Sequence, residues 1–217
     1  MTEIKICGIT NRDDAMRASE LEVDFIGFIF YERSPRAVLS ECVAPIVDEL
    51  AGAVKPVGVF VDESPEHIAG VCERCGLYAA QLHGAESPGA FAALPLRLWR
   101  SVRCGAGHCR PDPADWTVER FVVDADVPGR YGGTGQRADW TKAEALARRY
   151  PVMLAGGLTS DNVTQAIRAV GPRGVDVVSG TEQRPGIKDP VKLEAFVNAV
   201  RSVDRDASRE AAPTGKV

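Results

Sequence analysis

The sequence contains no long apolar run and no excess of positive charge. No stretch approaches the roughly 18 consecutive apolar residues that a membrane-spanning helix needs, so we expect no membrane partner. The 26 Lys and Arg residues are outnumbered by 30 Asp and Glu residues, and the two signs are mixed along the chain. Because nucleic-acid phosphates are bound by clustered positive charge, we expect no nucleic-acid partner.

The sequence also lacks the features that are typical of a secreted protein. Its opening residues contain no basic segment followed by a long apolar one, so we expect a cytoplasmic protein with reduced thiols. Only six of the 217 residues are cysteine, and the 45% apolar content suffices to bury a full core without metals or disulfides. Composition therefore predicts one compact domain.

One alternation of short β-branched runs and amphipathic helical patterns repeats along the chain. Eight runs predict strands and seven patterns predict helices, and the segment between the fifth and sixth strands has too much Gly and Pro for a regular helix. Strands separated by helices pair in parallel through right-handed crossovers, so we predict an α/β fold, a single (βα)8 TIM barrel with the helix after strand 5 short or missing. The predicted strands are 4–7, 24–30, 56–62, 77–83, 96–102, 120–125, 151–157 and 174–180.

The end of the chain differs from the rest in its pattern. Residues 204–217 show no apolar period, so we predict a barrel domain over 1–203 and a disordered tail over 204–217. An open doubly wound sheet is the competing architecture for the domain. Such a sheet usually carries a glycine fingerprint after its first strand, and the CGIT sequence after strand one is not that pattern.

The thiol of Cys7 ends the first strand, at the face where barrels carry their active sites. Strand alternation places Lys5 on the same side, one step deeper in the barrel. A buried ammonium group needs a partner, and Asp176 on strand eight is the expected one, because strands one and eight adjoin in a closed barrel. A weaker hypothesis is that the charge of Lys5 lowers the pKa of Cys7 below that of a free thiol.

The other cysteines do not suggest a metal site. Cys72 and Cys75 form a CxxC pair near the end of the third helix, at the opposite end of the barrel from the Cys- and His-containing segment 104–109. A lone CxxC is two ligands short of a structural zinc site. We therefore predict no metal, and we expect Cys72, Cys75 and Cys42 to be ordinary thiols, at the surface or half-buried.

Asp124 ends the sixth strand, which is apolar until that residue. The loop that follows contains Gly132, Gly133 and Gly135, as a mobile lid would. Two interpretations stay open: a positioned catalytic carboxylate, or a residue that only caps the loop or pairs with an arginine. Asp126, two residues later, competes for either role.

Glycines follow the last two strands. Gly156 and Gly157 come after strand seven, and Ser179, Gly180 and Thr181 come after strand eight. Backbone amides exposed by glycines at adjacent strand ends, beside a helix N-terminus, bind anions without any lysine. The sequence therefore predicts a phosphorylated small-molecule substrate.

Seven segments taken in order resemble the phosphoribosylanthranilate isomerase family of tryptophan biosynthesis, over about residues 3–200. They are KICGIT, GFIFYERSPR, VGVFVD, QLHG, the Asp-to-GGTG-to-DW segment, LAGGLTSDNV and SGTEQRPGIKD. The resemblance implies a (βα)8 barrel without cofactor or metal. It also implies an Amadori rearrangement of N-(5-phosphoribosyl)anthranilate to 1-(2-carboxyphenylamino)-1-deoxyribulose 5-phosphate. Either a monomer or a homodimer is compatible with the sequence.

The resemblance also assigns roles by position in the motifs. It implies that Cys7 is the general base, that Asp124 is the general acid, and that Arg36 receives the anthranilate carboxylate. We expect Gln81 and His83 in the wall of the pocket, with Gln81 supplying a hydrogen bond. The segment QRADW departs from the family, which usually carries an aromatic residue in place of its alanine, so we expect looser packing at the base of the lid.

Two other functions stay open. One is the related histidine-pathway isomerase, or a bifunctional barrel that performs both rearrangements. Those enzymes resemble a twofold repeat with paired aspartates, whereas strand one ends here in Cys7 and only the second half carries a phosphate signature. The other is a noncatalytic phosphosugar-binding barrel, which the presence of both Cys7 and Asp124 disfavours.

Overall fold

The computed structural model describes residues 1–104, 109–125 and 138–211. Eight barrel strands alternate with seven α-helices along these residues. The strands are β1 (Glu3–Cys7), β2 (Phe25–Ile29), β3 (Lys55–Phe60), β4 (Ala79–Leu82), β5 (Leu98–Cys104), β6 (Arg120–Ala125), β7 (Val152–Leu154) and β8 (Gly174–Val177). The helices are α1 (Arg12–Glu20), α2 (Ser40–Leu50), α3 (Pro65–Arg74), α4 (Pro88–Phe91), α5 (Trp140–Ala147), α6 (Val163–Val170) and α7 (Pro190–Ala211).

The eight strands form a closed parallel barrel. Hydrogen bonds join them in the order β4, β3, β2, β1, β8, β7, β6, β5, and β5 pairs with β4 to close the ring. The predicted α/β class and (βα)8 barrel are therefore confirmed. Closure brings together the first and last strands, with Lys5 of β1 opposite Asp176 of β8.

The core has two parts, one inside the barrel and one between the strands and the helices. The larger cluster lies between the barrel and the helices and includes Ile4, Ile6 and Phe196. The smaller one fills the barrel interior with Phe25, Trp99 and the side chains packed around them. Phe25 and Trp99 meet edge to face with their ring centroids 4.8 Å apart. Because this layer fills the interior, a binding cavity is left only nearer the carboxyl ends of the strands.

Helices α1, α3 and α5 each begin with a side-chain N-cap. The side chain of Asn11 accepts a hydrogen bond from the backbone of Asp14, and Ser64 does the same for His67. Asp139 caps α5 through the backbone amides of Thr141 and Lys142. Such caps satisfy amides that would otherwise have no partner in the first turn.

The region after β5 lacks an α-helix in its described residues. Residues Cys109–Arg110 form a short strand antiparallel to β5, and Pro113–Asp115 form a single 3-10 turn before β6. The predicted loss of the helix after strand 5 is confirmed. Helix α4 is also short, at four residues, since Gly and Pro are frequent in the segment around it.

The expectation that all six cysteines are reduced thiols is wrong for one pair. Cys104 and Cys109 form a disulfide. They are register partners in the short antiparallel ladder, with their Cα atoms 4.1 Å apart. The sequence placed both cysteines at one end of the barrel, but the antiparallel return that aligns them is a tertiary feature. The free cysteines are Cys7, Cys42, Cys72 and Cys75.

The free CxxC pair is buried in the core, so the prediction that these thiols lie at the surface or half-buried is wrong. Cys72 and Cys75 are both buried, and burial raises the pKa of Cys72 to about 11. Thiols of this kind stay protonated and unreactive near neutral pH. Across the described parts of the chain, no cluster of three or more His, Cys, Asp or Glu side chains is arranged to hold a metal ion.

Helix α7 continues beyond the point where the sequence predicts a disordered tail. It runs to Ala211, and the carboxylate of Asp204 accepts hydrogen bonds from the amide and the hydroxyl of Thr2. Residues 204–211 of the predicted tail therefore belong to the described part of this helix, and the division of the chain into a barrel domain and a tail stays a prediction of the sequence. Residues 212–217 lie outside the described ranges. None of the helices described here has the length and apolar character required to cross a membrane.

Candidate active site

The carboxyl ends of the barrel strands surround one cavity. Cys7 at the end of β1 and Asp124 near the end of β6 both line it. Six other residues predicted to contact substrate also line it: Arg36, Gln81, His83, Gly156, Gly157 and Ser179.

Some predicted site residues are not brought to this cavity. Gly180 and Thr181 are not among the residues that line it, and the Thr181 hydroxyl donates instead to the carbonyl of Val178 at 3.0 Å. The predicted lid glycines 132, 133 and 135, with Asp126 and His108, lie outside the described residues.

Two glycines leave room for the functional side chains. A Cβ added to Gly27 of β2 would lie 2.6 Å from Sγ of Cys7. A Cβ added to Gly8, whose φ is +76°, would lie 2.8 Å from Cδ of Arg36. Both distances are shorter than van der Waals contact, so the absence of a side chain at these positions sets where the thiol and the guanidinium lie.

The predicted pair beneath Cys7 is present. Nζ of Lys5 lies 2.9 Å from Oδ2 of Asp176, and the charges of Lys5 and Cys7 also act on each other. Burial alone would lower the pKa of Lys5, but the charges of Asp176 and Cys7 hold it above its ordinary value. The interior of the barrel therefore holds a compensated cation directly beside the thiol.

The predicted effect of Lys5 on the thiol is only partly right. Burial raises the pKa of Cys7 above its ordinary value, and the charge of Lys5 opposes this effect without cancelling it. The hypothesis that Cys7 ionises more easily than a free thiol is therefore wrong for this structure. The physical reason is desolvation, which disfavours a thiolate inside the barrel more than one nearby cation favours it.

Asp124 is held at the level of the cavity by its strand. It follows Val122, which belongs to the core inside the barrel, so alternation directs the carboxylate to the same side, above that core. The side chain is 7% exposed and lies opposite Arg103 in the pairing of β5 with β6. Asp124 and Cys7 thus face one cavity from strands three positions apart around the ring.

Gln81 and His83 form a hydrogen-bonded wall together with Ser101, a residue that the sequence did not suggest. Gln81 Nε2 donates to Ser101 Oγ at 3.0 Å, and Ser101 Oγ lies 2.7 Å from His83 Nδ1. Burial, reinforced by the charge of Arg103, lowers the pKa of His83 to about 3. The imidazole is therefore neutral near pH 7, as expected for a wall residue rather than a proton-transfer group.

Arg36 is held by a carboxylate that the sequence reading also missed. Its Nε donates to Oε1 of Glu182 at 2.7 Å, and its Nη2 donates to Oε2 at 2.8 Å. Glu182 lies in a hairpin formed by Glu182–Arg184 and Ile187–Lys188. The sequence signal for this hairpin is the Pro185-Gly186 pair between its two strands, because Pro-Gly pairs are typical of turns.

The glycine turn after β7 borders the same cavity. Gly156 and Gly157 have φ values of +83° and +60°, in the left-handed region that glycine adopts without strain. Asn162 fixes this turn by donating from Nδ2 to the carbonyl of Gly157 at 2.9 Å. Ser179 borders the same cavity and begins a 3-10 turn after β8. Two adjacent turns of this kind can present amides to a phosphate group.

A family model described as N-(5'phosphoribosyl)anthranilate (PRA) isomerase matches residues 4–199 of the chain. The chain belongs to the PRA isomerase family. An N-(5'-phosphoribosyl)anthranilate isomerase from Citrifermentans bemidjiense is 40% identical over 203 residues, covering 94% of this chain and 98% of the relative.

Solved structures of the PRA isomerase family have the same fold. Phosphoribosyl anthranilate isomerase from Thermus thermophilus matches with a TM-score of 0.83 and 32% identity, covering 93% of this chain and 100% of the other. A second structure, a complex with reduced 1-(o-carboxyphenylamino)-1-deoxyribulose 5-phosphate, matches with a TM-score of 0.78, 32% identity and the same coverage. The predictions of this family and of an isomerase are confirmed.

Proposed function

We propose that this PRA isomerase converts N-(5-phosphoribosyl)anthranilate into 1-(2-carboxyphenylamino)-1-deoxyribulose 5-phosphate, a step of tryptophan biosynthesis. The observation that carries the proposal is the position of Cys7 and Asp124 on one cavity, at the active end of a closed barrel. The reaction needs one group that gives a proton and one that takes a proton, at different atoms of a sugar lying between them.

Asp124 is proposed as the general acid. It gives a proton to the furanose ring oxygen, which breaks the bond from that oxygen to C1 and opens the ring to a Schiff base. The carboxyl group suits this step because it is buried at the cavity wall, where few water molecules compete for the developing bond.

Cys7 is proposed as the general base. Its thiolate removes the proton from C2 of the Schiff base, and the electrons of that bond form the enolamine. Tautomerisation of the enolamine, with protonation at C1, then gives the ketone. Protons are exchanged only between the substrate, the acid and the base, and substrate and product have the same oxidation state overall. The reaction therefore needs no redox cofactor. Lys5 beside the thiol offsets the charge of the thiolate.

The remaining residues are proposed to bind the two anionic ends of the substrate. Arg36 receives the anthranilate carboxylate, since a planar guanidinium matches a planar carboxylate. The turns that contain Gly156, Gly157 and Ser179 receive the sugar phosphate. Gln81 and His83 supply the wall between the two ends.

A direct assay tests the proposed function. Purified protein is incubated with enzymatically generated phosphoribosylanthranilate, and the loss of substrate fluorescence is followed, with the histidine-pathway aminoaldose run in parallel. We expect rapid loss with the first substrate. Turnover of the second alone would favour the histidine-pathway isomerase, and turnover of neither would favour a binding barrel. A monomeric or homodimeric state and a cytoplasmic location stay predictions of the sequence.

A further inference from the structure

Arg36 uses one full edge of its guanidinium group on Glu182. The Nε and Nη2 atoms donate two parallel hydrogen bonds to the two carboxylate oxygens of Glu182. This bidentate pairing fixes the plane of the guanidinium group. Because Arg36 lines the cavity, the edge formed by Nη1 and the second hydrogen of Nη2 is the one left for a ligand. A carboxylate on this second edge would be coplanar with the carboxylate of Glu182.

Glu182 is itself fixed on several sides. Its Oε1 accepts a bond from the amide of Gly186 at 3.2 Å and lies 3.7 Å from Nζ of Lys188. Lys188 is buried, and its Nζ donates to the carbonyl of Cys7 at 2.7 Å and to that of Val178 at 3.1 Å. The carboxylate that holds Arg36 is therefore tied to the strand end that carries the proposed base.

Arg36, Glu182 and Lys188 form one group of buried charges beside the cavity. Burial would raise the pKa of Glu182, but the bonds from Arg36 and the charge of Lys188 lower it below its ordinary value, so Glu182 is ionised. Arg36 stays a cation, whereas burial lowers the pKa of Lys188 below its ordinary value. The charge that faces the cavity is therefore that of Arg36. All three side chains are at most about a tenth exposed, so solvent screens this charge only weakly.

We propose that Glu182 is a positioning residue for carboxylate selectivity: it fixes Arg36 so that the free edge of the guanidinium meets the aryl carboxylate of the substrate. The inference rests on the proposed function and deepens it. Glu182 contacts Arg36 and does not touch the reacting atoms, so its loss acts on the recognition of one substrate group. An arylamine substrate without that carboxylate should not depend on Glu182.

The test compares two substrates in wild type and Glu182→Gln. One is N-(5-phosphoribosyl)anthranilate, and the other is N-(5-phosphoribosyl)aniline, made by condensing aniline with ribose 5-phosphate and followed by product chromatography. Glu182→Gln should lower kcat/KM for the carboxylated substrate by about 10- to 100-fold, mainly through KM. For the aniline substrate, kcat/KM should change by less than about twofold. Glu194→Gln, at an exposed ion pair with Arg17, is the matched control and should leave both values unchanged.

The outcomes separate the inference from the proposed function. Equal losses for both substrates, or no loss for either, would overturn the positioning role even if wild type is active. If wild type turns over neither substrate, the proposed function fails, and calorimetric titration with the reduced product analogue and its carboxylate-free counterpart decides the inference. Glu182→Asp serves if the glutamine variant does not fold. The shorter side chain keeps the charge but cannot keep both bonds to Arg36, so a smaller loss confined to the carboxylated compound is expected.

Discussion

Lys5 of the first strand and Asp176 of the last barrel strand are register partners, and their charged groups lie 2.9 Å apart within the barrel. Their proximity depends on closure of the ring, since 171 positions separate them in the sequence. The pair lies beside the Cys7 thiol and borders the cavity through Asp176. It therefore connects the architecture of the barrel to the electrostatics of the proposed base.

The first prediction concerns pH. The active form holds Cys7 as the thiolate and Asp124 as the protonated acid, so kcat/KM should show a bell-shaped pH profile. Burial raises the pKa of Cys7, so the limb set by this thiol should have its midpoint above the ordinary pKa of a free thiol. Four charged groups act on Cys7: Lys5, Asp176, Lys188 and Arg36. Replacing the first two together, as Lys5→Met with Asp176→Asn, removes the strongest opposing cation without leaving an unpaired buried carboxylate. The midpoint should then move higher.

Thiol alkylation provides an independent measurement of the same pKa. Rates of iodoacetamide modification are measured against pH, and a Cys7→Ala sample supplies the background from the other free cysteines. The midpoint of the Cys7-dependent alkylation rate should agree with that of the Cys7 limb of the kcat/KM profile. A midpoint at or below that of an exposed cysteine would show that burial does not control this thiol.

The second prediction concerns the two proton-transfer groups. Cys7→Ala and Asp124→Asn should each lower kcat by a factor of at least about 100, the usual scale for loss of a general acid or base. Cys42→Ala provides the matched control, because Cys42 is an exposed free cysteine on α2, and its activity should stay at the wild-type level. Near-normal turnover in either active-site variant would mean that another residue carries that step.

The third prediction concerns the glycine that faces the thiol. Gly27→Ala places a methyl group 2.6 Å from Sγ of Cys7, so the thiol or the strand must shift. We expect kcat to fall by about 10- to 100-fold, since displacements of about 1 Å at a reacting group have effects on this scale. Gly89→Ala is the control, because no atom lies within 4 Å of its added methyl group. Equal activities of the two variants would contradict the proposed placement of Cys7.

The fourth prediction concerns the disulfide. Denatured protein that has not been reduced should show four free thiols by titration, and six after reduction. The bridge spans only five positions of sequence, so the chain-entropy relation gives a stabilisation of about 2 kcal/mol. Urea unfolding of the Cys104→Ser, Cys109→Ser double variant should show a loss of this size. Six thiols in the unreduced sample would mean that the bridge does not form in solution.

Most of the residues that line the site can be predicted from sequence patterns, because a parallel barrel places the carboxyl ends of all its strands at one end. Once the period-two and helical patterns predict eight βα units, Cys7, Asp124 and the glycines after β7 and β8 must lie at the same end. The Lys5–Asp176 pair was predictable for a related reason, since closure makes the first and last strands neighbours. Roles for these groups came from the family motifs and could not be obtained from spacing alone.

The sequence by itself determined the repeated units, the end of the barrel that carries chemistry, and which reactive side chains stand there, because these depend on periodicity and chain direction. Only the tertiary structure decided the pairing of Arg36 with Glu182, the disulfide between Cys104 and Cys109, and the direction of the Cys7 pKa shift. Each of these depends on how the folded backbone brings side chains together, or on how much water is excluded around a charge. Such distances and solvation energies arise only when the ring closes.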